Sequence, residues 1–113
     1  MNGFAPLPDP PYYAVVFTSQ RDDGGDGRDY DAMASAMVAL AAAQPGFLGM
    51  ESARGPDGLG ITVSYWESEA AIRAWKDNAR HRVAQRLGKA EWYTHYRLRI
   101  ARVERQYDGP AGR

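Results

Sequence analysis

The strongest pattern in the chain lies between Gly60 and Gln85 (GITVSYWESEAAIRAWKDNARHRVAQ), where an apolar run gives way to a helical repeat. Leu59 to Trp66 is rich in β-prone residues and predicts a strand. Ser68 then offers a capping hydroxyl, and Glu69 places an acid in the first turn, where the helix dipole favours it. Ala71, Ile72, Trp75, Ala79 and Val83 recur at helical spacing and form a buried stripe. Ala74, Asn78, His81 and Gln85 follow at intervals of four, three and four, so they line a second, more polar face. Leu87-Gly88 ends the helix.

The same strand–helix grammar comes earlier. Tyr12 to Ser19 (YYAVVFTS) is a strand with Tyr13, Val15 and Phe17 on one parity and Tyr12, Ala14 and Val16 on the other. A strand apolar on both faces needs cover on both. Helices supply one layer, and in so short a chain a second subunit is the natural source of the other. Asp29 caps a first helix running to Gln44. Its stripe is Tyr30, Met33, Ala34, Met37, Val38 and Ala41, and Gln44-Pro45-Gly46 stops it. Phe47 to Arg54 and Leu59 to Trp66, joined through Pro56-Asp57-Gly58, read as a β-hairpin. Trp92 to Tyr107 is a long last strand, with Tyr96, Leu98 and Ile100 on one face and His95, Arg97 and Arg99 on the other. From Ala101 the apolar parity passes to Val103, which predicts a bulge or bend.

The order β-α-β-β-α-β predicts a ferredoxin-like α+β domain, an antiparallel sheet with both helices on one face. It spans residues 12–107. Residues 1–11, with four prolines, form an extended arm available to lie across a partner, and residues 108–113 are a frayed tail. A chain of 113 residues is one domain by size, and one so small gains from oligomerisation.

Composition narrows the function classes. Fourteen basic and fourteen acidic residues cancel, so no global field draws nucleic acid or anionic lipid. There is no cysteine, which removes disulfide and thiolate chemistry. No apolar run is long enough to span a membrane, and the N-terminus lacks the features of a signal peptide, so the expected location is the cytoplasm. The glycine-rich loop Gln20 to Arg28 resembles a calcium loop only superficially. Counted from Asp22, its twelfth position is Met33, where a bidentate glutamate is needed. The two histidines show no metal-binding spacing, so no metal is expected. The topology is shared with an RNA-recognition motif, but Asp57 to Ser64 lacks the stacking aromatics that such a surface requires.

Pro45-Gly46-Phe47-Leu48-Gly49, Ser64-Tyr65-Trp66-Glu67-Ser68-Glu69, Ala74-Trp75, Asn78, His81, Trp92-Tyr93, Tyr96, Arg99-Ile100 and Val103-Glu104-Arg105 together resemble the antibiotic biosynthesis monooxygenase domain. The resemblance covers about Tyr12 to Tyr107. It implies a homodimer in which two sheets face each other as an α+β barrel. It further implies either cofactor-independent oxygenation of a polyketide-like aromatic molecule or, in another branch, haem binding and degradation. Trp75 matches the helix tryptophan of the haem-degrading branch. That branch's haem-ligating histidine falls at Gln85, however, and its first-strand asparagine falls near Phe17 or Thr18, so haem is not the expected ligand. The oxygenases' asparagine has its nearest counterpart in Asn78, one turn late.

The candidate residues follow from these patterns. His81 is an acid–base candidate that Asp77, four residues earlier, can orient; the alternative is a solvated helical face. Asn78 can hydrogen-bond a substrate carbonyl or phenol. Trp66 and Trp75 are pocket walls or core filling. Tyr65 and Tyr96 can present hydroxyls, and His95 faces either the barrel interior or solvent. The expected function is cofactor-independent monooxygenation of an aromatic small molecule by a homodimer. The alternatives are a non-catalytic small-ligand-binding dimer of the same fold and, less favoured, a haem-binding or haem-degrading protein.

Overall fold

In the computed structural model, residues 3–21, 38–87 and 93–110 are described, excepting the side chains of 21, 80–87 and 93–95. Four strands, β1 (Tyr12–Arg21), β2 (Phe47–Arg54), β3 (Leu59–Trp66) and β4 (Tyr93–Val103), pair antiparallel in the order β2-β3-β1-β4. Residues 38–42 form a helical segment, α1, and Glu69–Leu87 forms α2. The domain is ferredoxin-like α+β, as its alternation of elements predicts. The start of the first predicted helix, the loop before it and Trp92 lie outside the described residues. Among the described residues no helix is long and apolar enough to cross a membrane.

Register assigns the two faces of the sheet. Tyr13 pairs with Trp66, Val15 with Ser64 and with Ile100, and Phe17 with Thr62 and with Leu98. Paired residues point to the same side, and this is the side α2 covers. The core there is Val15, Ala41, Trp66 and Ile72, with Tyr13, Phe47, Ala71 and Trp75 packed against it. Trp66 is fully buried. The edge of Phe47 meets its ring at 5.4 Å between centroids, and Trp75 lies across it at 5.4 Å with a 35° tilt. Its indole N–H donates to Ser64 Oγ at 2.9 Å, which pairs a polar atom that burial cuts off from water.

Local chemistry sets the element ends. Ser68 Oγ accepts the Ala71 amide at 3.1 Å, the predicted N-cap. In the hairpin turn Gly58 takes φ 90°, and Asp57 Oδ1 accepts the Leu59 amide at 3.1 Å. Gly46 takes φ 88°, and its carbonyl accepts the Glu67 amide at 2.8 Å. A Cβ on Gly46 would stand 2.7 Å from the Ala71 Cβ, inside α2. Gly46→Ala is therefore expected to cost about 1–2 kcal/mol from backbone strain and crowding together. A thermal melt measures this, and an unchanged midpoint would show that the turn has another conformation open to it.

Two expectations are corrected. The β1–β4 register is unbroken from Tyr12↔Val103 to Gln20↔His95, so no bulge occurs at Ala101; the shift falls between Gln20 and Arg21. Val103 faces away from α2 beside Tyr12. The second correction concerns the N-terminal arm, which the sequence leaves unpacked and which lies across the chain's own sheet. The Ala5 amide donates to Glu51 Oε2 at 3.0 Å, and Gln106 Nε2 donates to the Pro8 carbonyl at 3.2 Å. Gly49 has no side chain in the way, so Ala5 and Leu7 come down onto β2.

Candidate functional site

The helix-side face is not covered evenly. Along β4, Tyr96, Leu98 and Ile100 remain 56%, 37% and 46% exposed. Strand alternation places all three on the side of the sheet that α2 covers. Phe17 on β1 continues this apolar floor, with its ring 5.7 Å from that of Tyr96. Over Ile100 stand Glu69, Ile72, Arg73 and Lys76 of α2, enclosing a small hollow of about 110 Å³. Deeper along α2, Trp75 lies against the buried Trp66. The Trp75 indole nitrogen is buried with no hydrogen-bond partner among the described residues. The hollow has Ile72 and Ile100 as its apolar walls and charged groups around them, and the exposed Leu98 and Tyr96 continue the apolar face along β4.

Trp75 and Tyr96 lie on the side of the sheet that α2 covers, Trp75 packed against the core and Tyr96 exposed. Trp66 belongs to that side as well, but it is sealed beneath Trp75 and acts as backing for it. Tyr65 lies on the other face. It adjoins Trp66 in a strand, and successive residues of a strand point oppositely. Its hydroxyl donates to Glu51 Oε1 at 2.6 Å, and its ring meets Tyr12 edge-on at 5.8 Å. Asn78 is exposed, and its amide nitrogen donates to Gln44 Oε1 at 3.1 Å, tying α2 to the turn after α1. His81 and Gln85 fall on the backbone of α2, and His95 pairs in register with Gln20. Their side chains lie outside the described residues. Among the described residues no cluster of histidine, aspartate and glutamate could hold a metal ion.

The face away from α2 carries a polar group that the sequence does not announce. Glu51 accepts from both Tyr65 and the Ala5 amide, and the hydrogen bond from Tyr65, first, and that from Ala5 hold its carboxyl below the ordinary range. Burial, then the Glu51 hydrogen bond and charge, push the Tyr65 hydroxyl well above its usual value. Burial, with the Glu51 charge, raises Tyr12 too. The Tyr12 hydroxyl donates to Gln106 Oε1, so arm, sheet and C-terminal segment meet here. The one available signal is an acid in the middle of an otherwise half-buried strand.

The family model for antibiotic biosynthesis monooxygenase matches residues 13–87. An uncharacterised protein of Bacillus subtilis, YqjZ, is 48% identical over 106 residues, which span 94% of this chain and 91% of that protein. Two solved structures share the fold. SnoaB of Streptomyces nogalater, a cofactor-independent oxygenase solved as a point mutant, superposes with TM-score 0.64 at 19% identity, covering 84% of this chain and 94% of its own. MhuD of Mycobacterium tuberculosis, a haem-degrader with two haems in its active site, superposes with TM-score 0.60 at 20% identity, covering 80% and 94%.

Proposed function

The chain belongs to the antibiotic biosynthesis monooxygenase family, and on that footing we propose that it oxygenates an electron-rich aromatic small molecule without a bound cofactor. The supporting observation is the apolar face beside α2, where the hollow over Ile100 is followed along β4 by the exposed Leu98 and Tyr96, with Phe17 in ring contact with Tyr96. A ring system laid against that face buries apolar surface on its inner side. In a reaction of the anthrone type, a ring methylene and dioxygen become a carbonyl and water. The substrate carbon is oxidised and supplies all the electrons. The protein's part is to take the first proton and to steady the oxyanion that forms. Tyr96, exposed on the side of the sheet that α2 covers, is the hydroxyl proposed for the second task. His81 is the proposed base on chemical grounds. Asn78 joins them only if it leaves Gln44, and Tyr65 is excluded by its face.

The second sheet face is proposed to meet another copy of the chain. Leu59 and Ile61 are 44% and 45% exposed there. A homodimer supplies the layer that a two-sided apolar strand demands.

A second reading, a ligand-binding dimer without catalysis, has one observation in its favour: Asn78 is engaged with Gln44 and turned to solvent. Haem fits this face poorly. Phe17 takes one of the two candidate first-strand positions and is held in ring contact with Tyr96, while the other, Thr18, faces away from α2.

Oxygen consumption separates the readings. With a panel of anthrones and quinols, the purified protein is expected to consume oxygen without added metal or flavin. Tyr96→Phe is expected to lower the rate about tenfold or more, in line with loss of one oxyanion donor. Saturable binding of the same compounds without oxygen uptake would establish the binder instead. A Soret shift on adding haem would restore the haem branch.

A further inference from the structure

On the face away from α2, at the end of the sheet near the hairpin turn, a depression of about 280 Å³ is lined by Thr18, Ser19, Gln20, Leu59, Arg97 and Arg99. From this geometry we infer a binding site for a small oxyanion, a phosphate or carboxylate group, held between the guanidinium groups of Arg97 and Arg99 with the Thr18 hydroxyl as a further partner.

The placement follows from register. Arg97 pairs with Thr18 and Arg99 with Val16, so both arginines stand on the same side of β4 as Thr18. Two residues along a strand is about 6–7 Å, a separation that lets two guanidinium groups converge on one ligand. Arg99 Nη1 already donates to Thr18 Oγ1 at 3.4 Å, which turns it across the sheet toward the depression. Among the described residues neither arginine is paired with a carboxylate; the ion pair on this strand's continuation is Arg102 with Glu104. Asp57, whose backbone adjoins the site, is occupied. Its carboxylate caps the Leu59 amide, and its carbonyl accepts from Gln20 Nε2 at 2.7 Å.

Two like charges side by side repel, and they are tolerated most readily where an anion bridges them. Guanidinium groups suit this role because their planar forks match the oxygens of carboxylate and phosphate. The chain is neutral overall, so the attraction is local to this row. Leu59 adds an apolar side, which favours an anion carried on a small organic molecule. The site is separated from the face beside α2 by the thickness of the sheet, so it stands or falls independently of the oxygenase reading. In the dimer proposed above this face meets a second sheet, and a carboxylate of the second copy is the rival occupant.

The test is a titration of the full chain with inorganic phosphate and, separately, with benzoate, followed by the backbone amide NMR signals of residues 16–20 and 97–99. Saturable shifts confined to these residues are expected with at least one probe, and the tighter probe identifies the source of the oxyanion. Arg97→Gln/Arg99→Gln is expected to weaken that binding at least tenfold with an unchanged circular dichroism spectrum. Arg97→Lys/Arg99→Lys should lie between, because charge persists and the fork geometry is lost. Absence of saturation with both probes, or equal affinity in the double glutamine variant, overturns the site. So does a double variant that dissociates the dimer while the wild type binds neither probe, since the second copy's carboxylate then occupies the arginines.

Discussion

Replacing Trp66 by alanine is expected to lower the unfolding free energy by about 3–5 kcal/mol, the usual cost of emptying a large aromatic site. Set against a total of about 5–15 kcal/mol for a natural domain, this is a large fraction of the whole. The magnitude follows from position. Trp66 is fully buried where β3 meets α2, with the edge of Phe47 on one side and Trp75 on the other. Trp66→Phe should cost less, about 1–2 kcal/mol, since most of the apolar contact survives. Ser64→Ala leaves the indole N–H buried without an acceptor, a loss of about 1–3 kcal/mol. The two changes together should cost less than their sum, because each removes the same bond. Chemical denaturation followed by far-ultraviolet circular dichroism measures all of these variants against the wild type. A Trp66→Ala cost below about 1.5 kcal/mol would mean that the tryptophan pair is not the keystone of the helix–sheet layer.

The hairpin was legible because its signals are local. Pro56-Asp57-Gly58 marks a turn with a known backbone requirement, and both strands end where predicted. The cap at Ser68 is equally local. What the pattern could not show were choices made by distant partners. Nothing near Asn78 in the chain indicates that Gln44 will receive its amide. The arm reads as unpacked because proline-rich segments form no periodic pattern, yet Gly49 and Glu51 give it a place to land. Val103 reads as a parity slip because a sequence shows which residues need cover but not what covers them. Tyr65 is different in kind. Adjacent strand residues cannot share a face, so grouping it with Trp66 in one pocket contradicts the strand that contains both.

The largest effect outside the core is expected at Glu51. Its carboxylate accepts from Tyr65 at 2.6 Å and from Ala5 at 3.0 Å, using both oxygens. Hydrogen bonds to a charged group contribute about 1.5–3 kcal/mol each when buried. Glu51 is only half-buried, so Glu51→Ala should cost about 2–3 kcal/mol for the pair, and the arm should become sensitive to proteolysis ahead of the sheet. The pH dependence carries a distinct signature. The folded carboxyl titrates below its unfolded value, so its contribution is present above about pH 4.3 and is lost as the pH falls through the folded pKa. The raised tyrosines act at the other end. Their contribution is intact below about pH 10 and is lost as the pH rises beyond it. Between those limits stability should be level with respect to these groups. Glu51→Gln keeps an acceptor for Tyr65 but cannot titrate. It should therefore flatten the acid limb relative to wild type, and reduce the alkaline limb without abolishing it, because burial is the first cause of the Tyr65 shift. Denaturation midpoints at several pH values for the two proteins decide the matter. Parallel acid limbs would show that Glu51 does not couple the arm to the sheet.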